Sequence, residues 1–541
     1  MEDLVADQTP NALVAPRTNI HQSTTNKRDV LWVNVYSFIR SSIERGAAAD
    51  DRSRYNSVRC LPLSQLPRNN MKSQKLLLVI LFASACSLAC GSARAGQLRA
   101  GMAARDITPP LGYRMSGYFS ERLSTGIKDP LLAKALVFAQ DDELVALVFC
   151  DLAGISLDVS TRARERIADE IGIPVTHTIV AATHSHTGPL YFGALRAHFR
   201  RKAIEQHGRD PLEEVDYPAL LSDRIVTAVR QAKSSLQPVR LAAGYGIERR
   251  LSFNRRFHMK TGPVRFNPGQ LNPNIVRPAG PIDSEVGLIS LLPRTGDKPL
   301  GALVSFALHL DTVGGTEYSA DFPKHLQDSL RKTHGPDFVS FFGEGTCGDI
   351  NHVDVSIRGR RTADEIGGML GETVLDRLAN LPAVEQPSLA IRSQFVDAVL
   401  QQYDAAEIEA AAELMERVAD RQVAFLERVK AYKIMALGLR GEPTIPLEVQ
   451  AVRLSDEVAV VSLPGEVFVE FGLAIKQGSP FETTLVIELA NDAPGYIPTR
   501  KAFAEGSYET VNSRVRPGEG ERMVETALRL LNELKSDANN N

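Results

Sequence analysis

Six apolar runs in this chain end in side chains that can bind a metal or move a proton. Leu144–Cys150 runs into Asp151, and Ile179–Ala182 into His184 and His186 within IVAATHSHTGP. Val304–Leu308 is followed by His309 and Asp311. Val339–Phe342 leads into Glu344, Cys347 and Asp349 in FFGEGTCGDINH. Val458–Leu463 meets Pro464-Gly465-Glu466, and Leu485–Leu489 meets Asn491 and Asp492, with Tyr496 just beyond. Any one of these polar residues is ordinarily a turn or helix cap. Two histidine-bearing ends and a glutamate-bearing end exceed what capping requires. Alternate residues of a strand point the same way, so His184 and His186 are expected to face one pocket. One can bind a metal while the other acts on substrate. His309 supplies a second nitrogen and Glu466 an oxygen. Two histidines and a glutamate with one position open form a catalytic zinc pattern, which makes hydroxide available near neutral pH.

The elements that must position these groups alternate in type. Strands are expected at Ala135–Ala139, Leu144–Cys150, Thr178–Ala182, Leu303–Leu308, Phe338–Phe342, Val458–Leu463 and Leu485–Leu489. Helical periodicity marks Thr161–Ile171, Pro218–Ser234, Pro323–Lys332, Thr362–Leu378, Val467–Lys476 and Arg522–Leu534. Several strands are continuously apolar, as strands covered on both faces are. The expectation is an α/β fold with mixed or parallel sheets covered by helices and the active site at the strand C-terminal ends. Ala405–Leu439 reads as a long, charged helical stretch, an inserted surface hairpin or packing helix spanning about 403–440. Arg256–Pro281, rich in Pro, Gly and Asn, reads as a long loop of the kind that covers a site.

Of 541 residues, 43% are hydrophobic and 23% charged, with a formal charge of −3. That balance gives no electrostatic footprint for nucleic acid. Residues 1–70 are polar and aperiodic and read as an extension ahead of the true translation start. From Met71, two lysines, a short apolar stretch and Ala93-Arg94-Ala95 match a signal peptide over 71–95. The mature protein is then a single domain over 96–535 with a tail at 536–541, secreted or periplasmic. Of the five cysteines, Cys150 and Cys347 remain in it. They sit beside strand ends of one rim, where a disulfide is sterically open although nothing fixes their Cα separation.

ATHSHTGP, FALHLD, GDINHV, LPGE, FNRR and GYIPT followed by SYE occur in consistent order across Gly96–Leu534. Together they resemble the catalytic domain of the neutral/alkaline ceramidases, as a divergent member without the family's C-terminal immunoglobulin-like domain. The resemblance implies zinc held by His184, His309, Glu466 and Tyr496. It also implies His186 at the reacting carbonyl or the water, and Arg255 and Tyr508 binding substrate and stabilising the oxyanion. Asn351 stands where the family has a serine, and an amide cannot act as a nucleophile, although it can orient water. The implied chemistry is attack of zinc-bound hydroxide on an N-acyl amide of a small-molecule or lipid substrate, with His186, helped by Asp349, managing protons. Peripheral contact with membrane lipid goes with such a substrate. Two other readings fit the residues: a zinc hydrolase of an ester or carbohydrate-linked substrate, and a catalytically silent binding protein on the same fold. The oligomeric state is not legible.

Overall fold

The computed structural model describes residues 96–539 apart from 421 and 439. The expected leader and N-terminal extension lie outside these residues. The strands in chain order are β1 (Arg99–Asp106), β2 (Leu132–Gln140), β3 (Glu143–Cys150), β4 (Thr178–Ala182), β5 (Gln237–Ile247), β6 (Glu285–Pro293), β7 (Gly301–Phe306) and β8 (Val339–Glu344). These eight form one sheet in the order β8-β7-β6-β5-β1-β2-β3-β4. Its outermost pairs, β7/β8 and β3/β4, are parallel, and the pairs between are antiparallel. A second sheet, β9 (Pro387–Val399), β10 (Thr444–Ser455), β11 (Val458–Ser462) and β12 (Thr483–Ile487), has its parallel pair at β11/β12. The fold is thus mixed α/β, as the sequence pattern indicates.

The two sheets face each other. Leu136, Phe138, Leu147 and Phe341 of the large sheet share one buried cluster with Val452, Val460 and Leu485 of the small one. Helices cover the outer faces, giving four layers. Helices α1 (Leu157–Ile171) and α3 (Tyr217–Ser234) pack Val159, Ile167, Ile225 and Val229 against β2 and β3, with α2 (Gly193–His207) between them in sequence. Helices α4 (Phe322–His334) and α5 (Ala363–Leu378) cover β6–β8. Helices α8 (Val469–Gly478) and α11 (Glu519–Asn539) cover the small sheet. Strands covered on both faces must be apolar at every position, which is why β4 and β11 are buried throughout.

One expectation is resolved and another corrected. The charged stretch is a hairpin, of the two helices α6 (Ala405–Met415) and α7 (Phe425–Gly438), rather than a single packing helix. Asp404 and Glu407 form a capping box at its start, and Ala411, Met415, Val418, Ala431 and Ile434 bury against Leu195 and Phe199 of α2. Arg256–Pro281 contains a small three-stranded sheet in which Arg256–Met259 pairs with Arg265–Phe266 and Ile275–Pro278. Two short helices complete the chain, α9 (Arg500–Glu505) and α10 (Tyr508–Asn512). No helix among the described residues is long and apolar enough to cross a membrane.

Candidate metal centre and active site

The C-terminal ends of the parallel pairs converge where the two sheets are stitched together by backbone hydrogen bonds. Ala182 N donates to Leu489 O (3.1 Å), Asn491 N to Val180 O (2.7 Å) and Glu488 N to Glu344 O (2.9 Å). Past β4, Thr183 N and His184 N donate to Cys150 O and Leu152 O. His184 then turns through φ 77°, a left-handed conformation that a non-glycine residue adopts only under constraint. That turn, and not strand alternation, aims His184 and His186 at one point, because both lie beyond the strand end. His186 N is held by Leu310 O (3.1 Å), which ties the turn to the His309 segment beyond β7.

Glu466 follows Gly465, whose φ of 86° leaves no room for a side chain: a Cβ would lie 2.7 Å from Gly495 O. A short parallel bridge sets Glu466 opposite Tyr496. Gly348 is required for a different reason. A Cβ there would meet Glu466 O at 2.5 Å, so only glycine lets the Cys347–Asp349 turn pass against the Glu466 backbone.

The three imidazoles present ligand nitrogens within 4.8 Å of one another. His184 Nε2 lies 3.0 Å from His309 Nε2 and 3.4 Å from His186 Nε2, and 3.6 Å from Glu466 Oε2. His184 Nδ1 pairs with Ala153 O at 2.7 Å, which fixes the tautomer and turns the Nε2 lone pair inward. Burial, reinforced by His184, pushes His186 down to about 4 and His309 well below the usual imidazole range. Burial alone would raise the Glu466 carboxyl. Contact with His184 and Tyr496, with the Arg255 charge, holds it below its ordinary value. Glu466 Oε2 and His186 Nδ1 are buried with no hydrogen-bond partner. Facing imidazole nitrogens 3.0 Å apart, beside an orphaned carboxylate oxygen, suit a shared cation. The nitrogens of His184, His186 and His309 could therefore hold a metal ion, with the Glu466 carboxylate beside them.

Arg255 stands over this group with its guanidinium carbon 5.4 Å from the Tyr496 ring centre and 5.9 Å from that of Tyr508. Its Nε donates to Glu509 (2.9 Å) and its Nη2 to Gly348 O (2.8 Å). The rings of Tyr496 and Tyr508 meet at 5.4 Å. From Tyr508 an aromatic stack continues outward through Phe266 (4.7 Å) and Phe425 of the hairpin (5.5 Å) to Phe119.

Two residues expected at the chemistry point elsewhere. Asp349 accepts from Val469 N (2.9 Å) and Asn254 Nδ2 (2.7 Å), so it holds the start of α8. Burial raises its carboxyl to about 6. Asn351 donates to Asn267 Oδ1 (2.8 Å) and accepts from Val353 N (3.0 Å). Cys150 and Cys347 are both free and buried, so the disulfide does not form. Cys347 Sγ sits 3.2 Å from Glu488 Oε1 and 3.6 Å from His309 Nδ1.

Sequence reasoning missed the support behind His309. Glu344 and Glu488, both fully buried, flank Cys347, and burial raises both carboxyls well above their usual range, with the Glu488 charge adding to the effect on Glu344. It also missed the pairing of Asp311 with His352, 2.9 Å apart on the His186 side. The strand-end positions of Glu344 and Asp311 were visible, but a strand end does not reveal which partner a carboxylate meets.

Fold and site together define a four-layer α/β protein with a three-histidine group that could hold a cation. No family model matches the chain. It is 27% identical over 340 residues to the neutral ceramidase of Pseudomonas aeruginosa, a match covering 56% of this chain and 48% of that protein. The chain thus spans about half the length of the curated relative it matches. The crystal structure of the P. aeruginosa neutral ceramidase superposes with a TM-score of 0.63 at 20% identity, over 82% of this chain and 75% of that one. A ceramidase structure complexed with C2 gives 0.61 at 19% identity, over 82% and 76%. The chain is homologous to neutral ceramidase and shares its fold.

Proposed function

We propose that the chain is a secreted or periplasmic zinc-dependent hydrolase that cleaves an N-acyl amide of ceramide type. The observation that carries this reading is the meeting of His184, His309 and Glu466, remote in sequence, around one buried point with Glu466 Oε2 left without a donor. Homology to neutral ceramidase supports an amide-bearing lipid as substrate, and so does the fold shared with a ceramidase complexed with C2. When bound, zinc supplies a Lewis acid for the scissile carbonyl and for water.

The chain's own residues supply the rest. His184 is oriented by the Ala153 carbonyl, and Glu466 by the bridge to Tyr496. Arg255, locked by Glu509 and Gly348 O, and the Tyr508 hydroxyl donate to the carbonyl oxygen as it gains charge. His186, with Nδ1 free of protein partners, accepts a proton from the attacking water and returns it to the leaving nitrogen. Asp349 and Asn351 serve as positioning residues. With its amide committed to Asn267 and Val353, Asn351 provides no nucleophile, so water attacks directly. The stack leading to Phe425, with Leu426 and Tyr118 exposed nearby in sequence and space, offers an apolar approach for an acyl chain and for peripheral contact with lipid. The signal-peptide pattern from Met71 supports export.

The test is hydrolysis of N-acylsphingosines, with matched esters and glycosides as comparison, before and after chelation and after zinc is restored. Amide cleavage lost on chelation and recovered with zinc is expected. Cleavage that survives exhaustive chelation would falsify the proposal, and turnover of only the ester or glycoside would replace the substrate class.

A further inference from the structure

Helices α7, α9 and α10 and the Gln401 segment line an open pocket of about 410 Å³ whose walls include no residue of the histidine centre. The size is that of small-molecule sites, roughly 300–1,000 Å³. Lys433 enters it from α7 and is 4% exposed. Its Nζ donates to Gln401 Oε1 (3.0 Å) and lies 5.1 Å from the Tyr403 ring centre. Gln401 is itself immobilised, its amide donating to Ser513 O and Val515 O and its Oε1 also accepting from Tyr403. Among the described residues no carboxylate pairs with Lys433; Glu407 of α6 pairs with Lys430 instead, at 3.6 Å. Burial draws the Lys433 ammonium down to about 8, which still leaves it charged at neutral pH. A buried ammonium without a counter-ion is costly to maintain and ready to accept one. Phe503 and Val511 supply an apolar wall beside it.

We propose that this cavity binds an organic monocarboxylate with an apolar body, its carboxylate on Lys433 and its body against Phe503 and Val511. With Lys430 already neutralised by Glu407, one positive charge is left uncompensated, which a monoanion matches and a phosphate dianion exceeds. The acid released from an N-acyl amide belongs to this class; that identification rests on the function proposed above, and the site itself does not. The cavity also touches the active centre through α10, which presents Thr510 and Val511 to the cavity and Tyr508 and Glu509 to Arg255.

The experiment is calorimetric titration of the full chain, and of the same chain carrying His184→Ala and His309→Ala, with decanoate, decanol and inorganic phosphate at neutral pH. Saturable one-to-one decanoate binding is expected in both proteins. It should weaken about tenfold or more in Lys433→Met, as loss of a hydrogen bond to a charged group implies. Filling the space with Val511→Trp should block it. Decanol and phosphate should each bind at least about tenfold more weakly than decanoate. Binding unchanged by both substitutions overturns the proposal, as does phosphate binding as tightly as decanoate. Loss of decanoate binding in the double-histidine variant also overturns it, because the ligand would then sit at the histidine centre. Should Lys433→Met fail to fold, Val511→Trp decides. Failure of amide hydrolysis would leave these outcomes intact.

Discussion

Removing the Glu509 carboxylate strips the counter-charge from a buried guanidinium at the heart of the site. Glu509 is fully buried and Arg255 is 4% exposed, with 2.9 Å between Oε1 and Nε; Arg256 Nε lies 3.8 Å from Oε2. Taking one partner from a buried ion pair typically costs about 3–5 kcal/mol. A folded unit of roughly 440 residues has an unfolding entropy near 1 kcal/mol/K, at about 2.1 cal/mol/K per residue. Glu509→Gln should therefore lower Tm by about 3–5 °C, read by circular dichroism with fixed zinc in the buffer. Amide turnover should fall by more than Tm predicts, because Arg255 loses the bond that sets its angle over Tyr496 and Tyr508. Replacing both partners, Arg255→Met with Glu509→Met, should recover much of the stability and none of the turnover, since paired apolar residues remove the uncompensated charge. A Glu509→Gln protein melting within about 1 °C of the parent would refute the reasoning.

Further outcomes follow from the same geometry. Gly348→Ala places a Cβ against Glu466 O and should weaken zinc binding by about 10–100-fold while the far-ultraviolet spectrum stays unchanged, measured by competition with a chromophoric chelator. Phe425→Ala, at a residue 37% exposed, should leave Tm within about 1 °C yet raise KM for long acyl chains more than for short ones; equal effects on both would separate the stack from substrate. The Asp349 carboxyl is raised by burial from 3.8 to about 6 in the folded chain. A raised folded pKa stabilises the protein fully below the unfolded pKa, and that stability is lost as pH rises through the folded value. Parent stability should thus lose about 2 kcal/mol between pH 4 and 6 relative to Asp349→Asn, read from urea midpoints across that window. A flat difference would remove Asp349 from the account.

The strands that end in ligands were legible because they are buried on both faces. β3, β4, β7, β8, β11 and β12 carry uninterrupted apolar runs, and the polar residues that follow stand out against them. β5 and β9 were not legible, since exposed charged and polar positions break their runs, and in β5 Gly244 and Gly246 open space for the Arg377 and Thr373 side chains. Hairpin and single packing helix both fitted the sequence of this insertion because the break around Val418–Ala424 carries no glycine or proline to mark it. His184 and His186 were correctly paired for the wrong reason: a left-handed turn beyond the strand does what alternation was expected to do. Asp349 lies in a motif whose spacing places it near the centre, but its side chain is claimed by the Val469 N–H of α8 and by Asn254 Nδ2, partners remote in sequence.

The most direct test of the central claim is the zinc content of the purified chain, measured by mass spectrometry of the metal alongside Glu466→Gln and the His184→Ala, His309→Ala double variant. About one zinc per parent chain and a near-complete loss in both variants is the predicted result. Equal zinc in parent and variants, or none in the parent after growth in zinc-replete medium, would contradict a shared ion at this site.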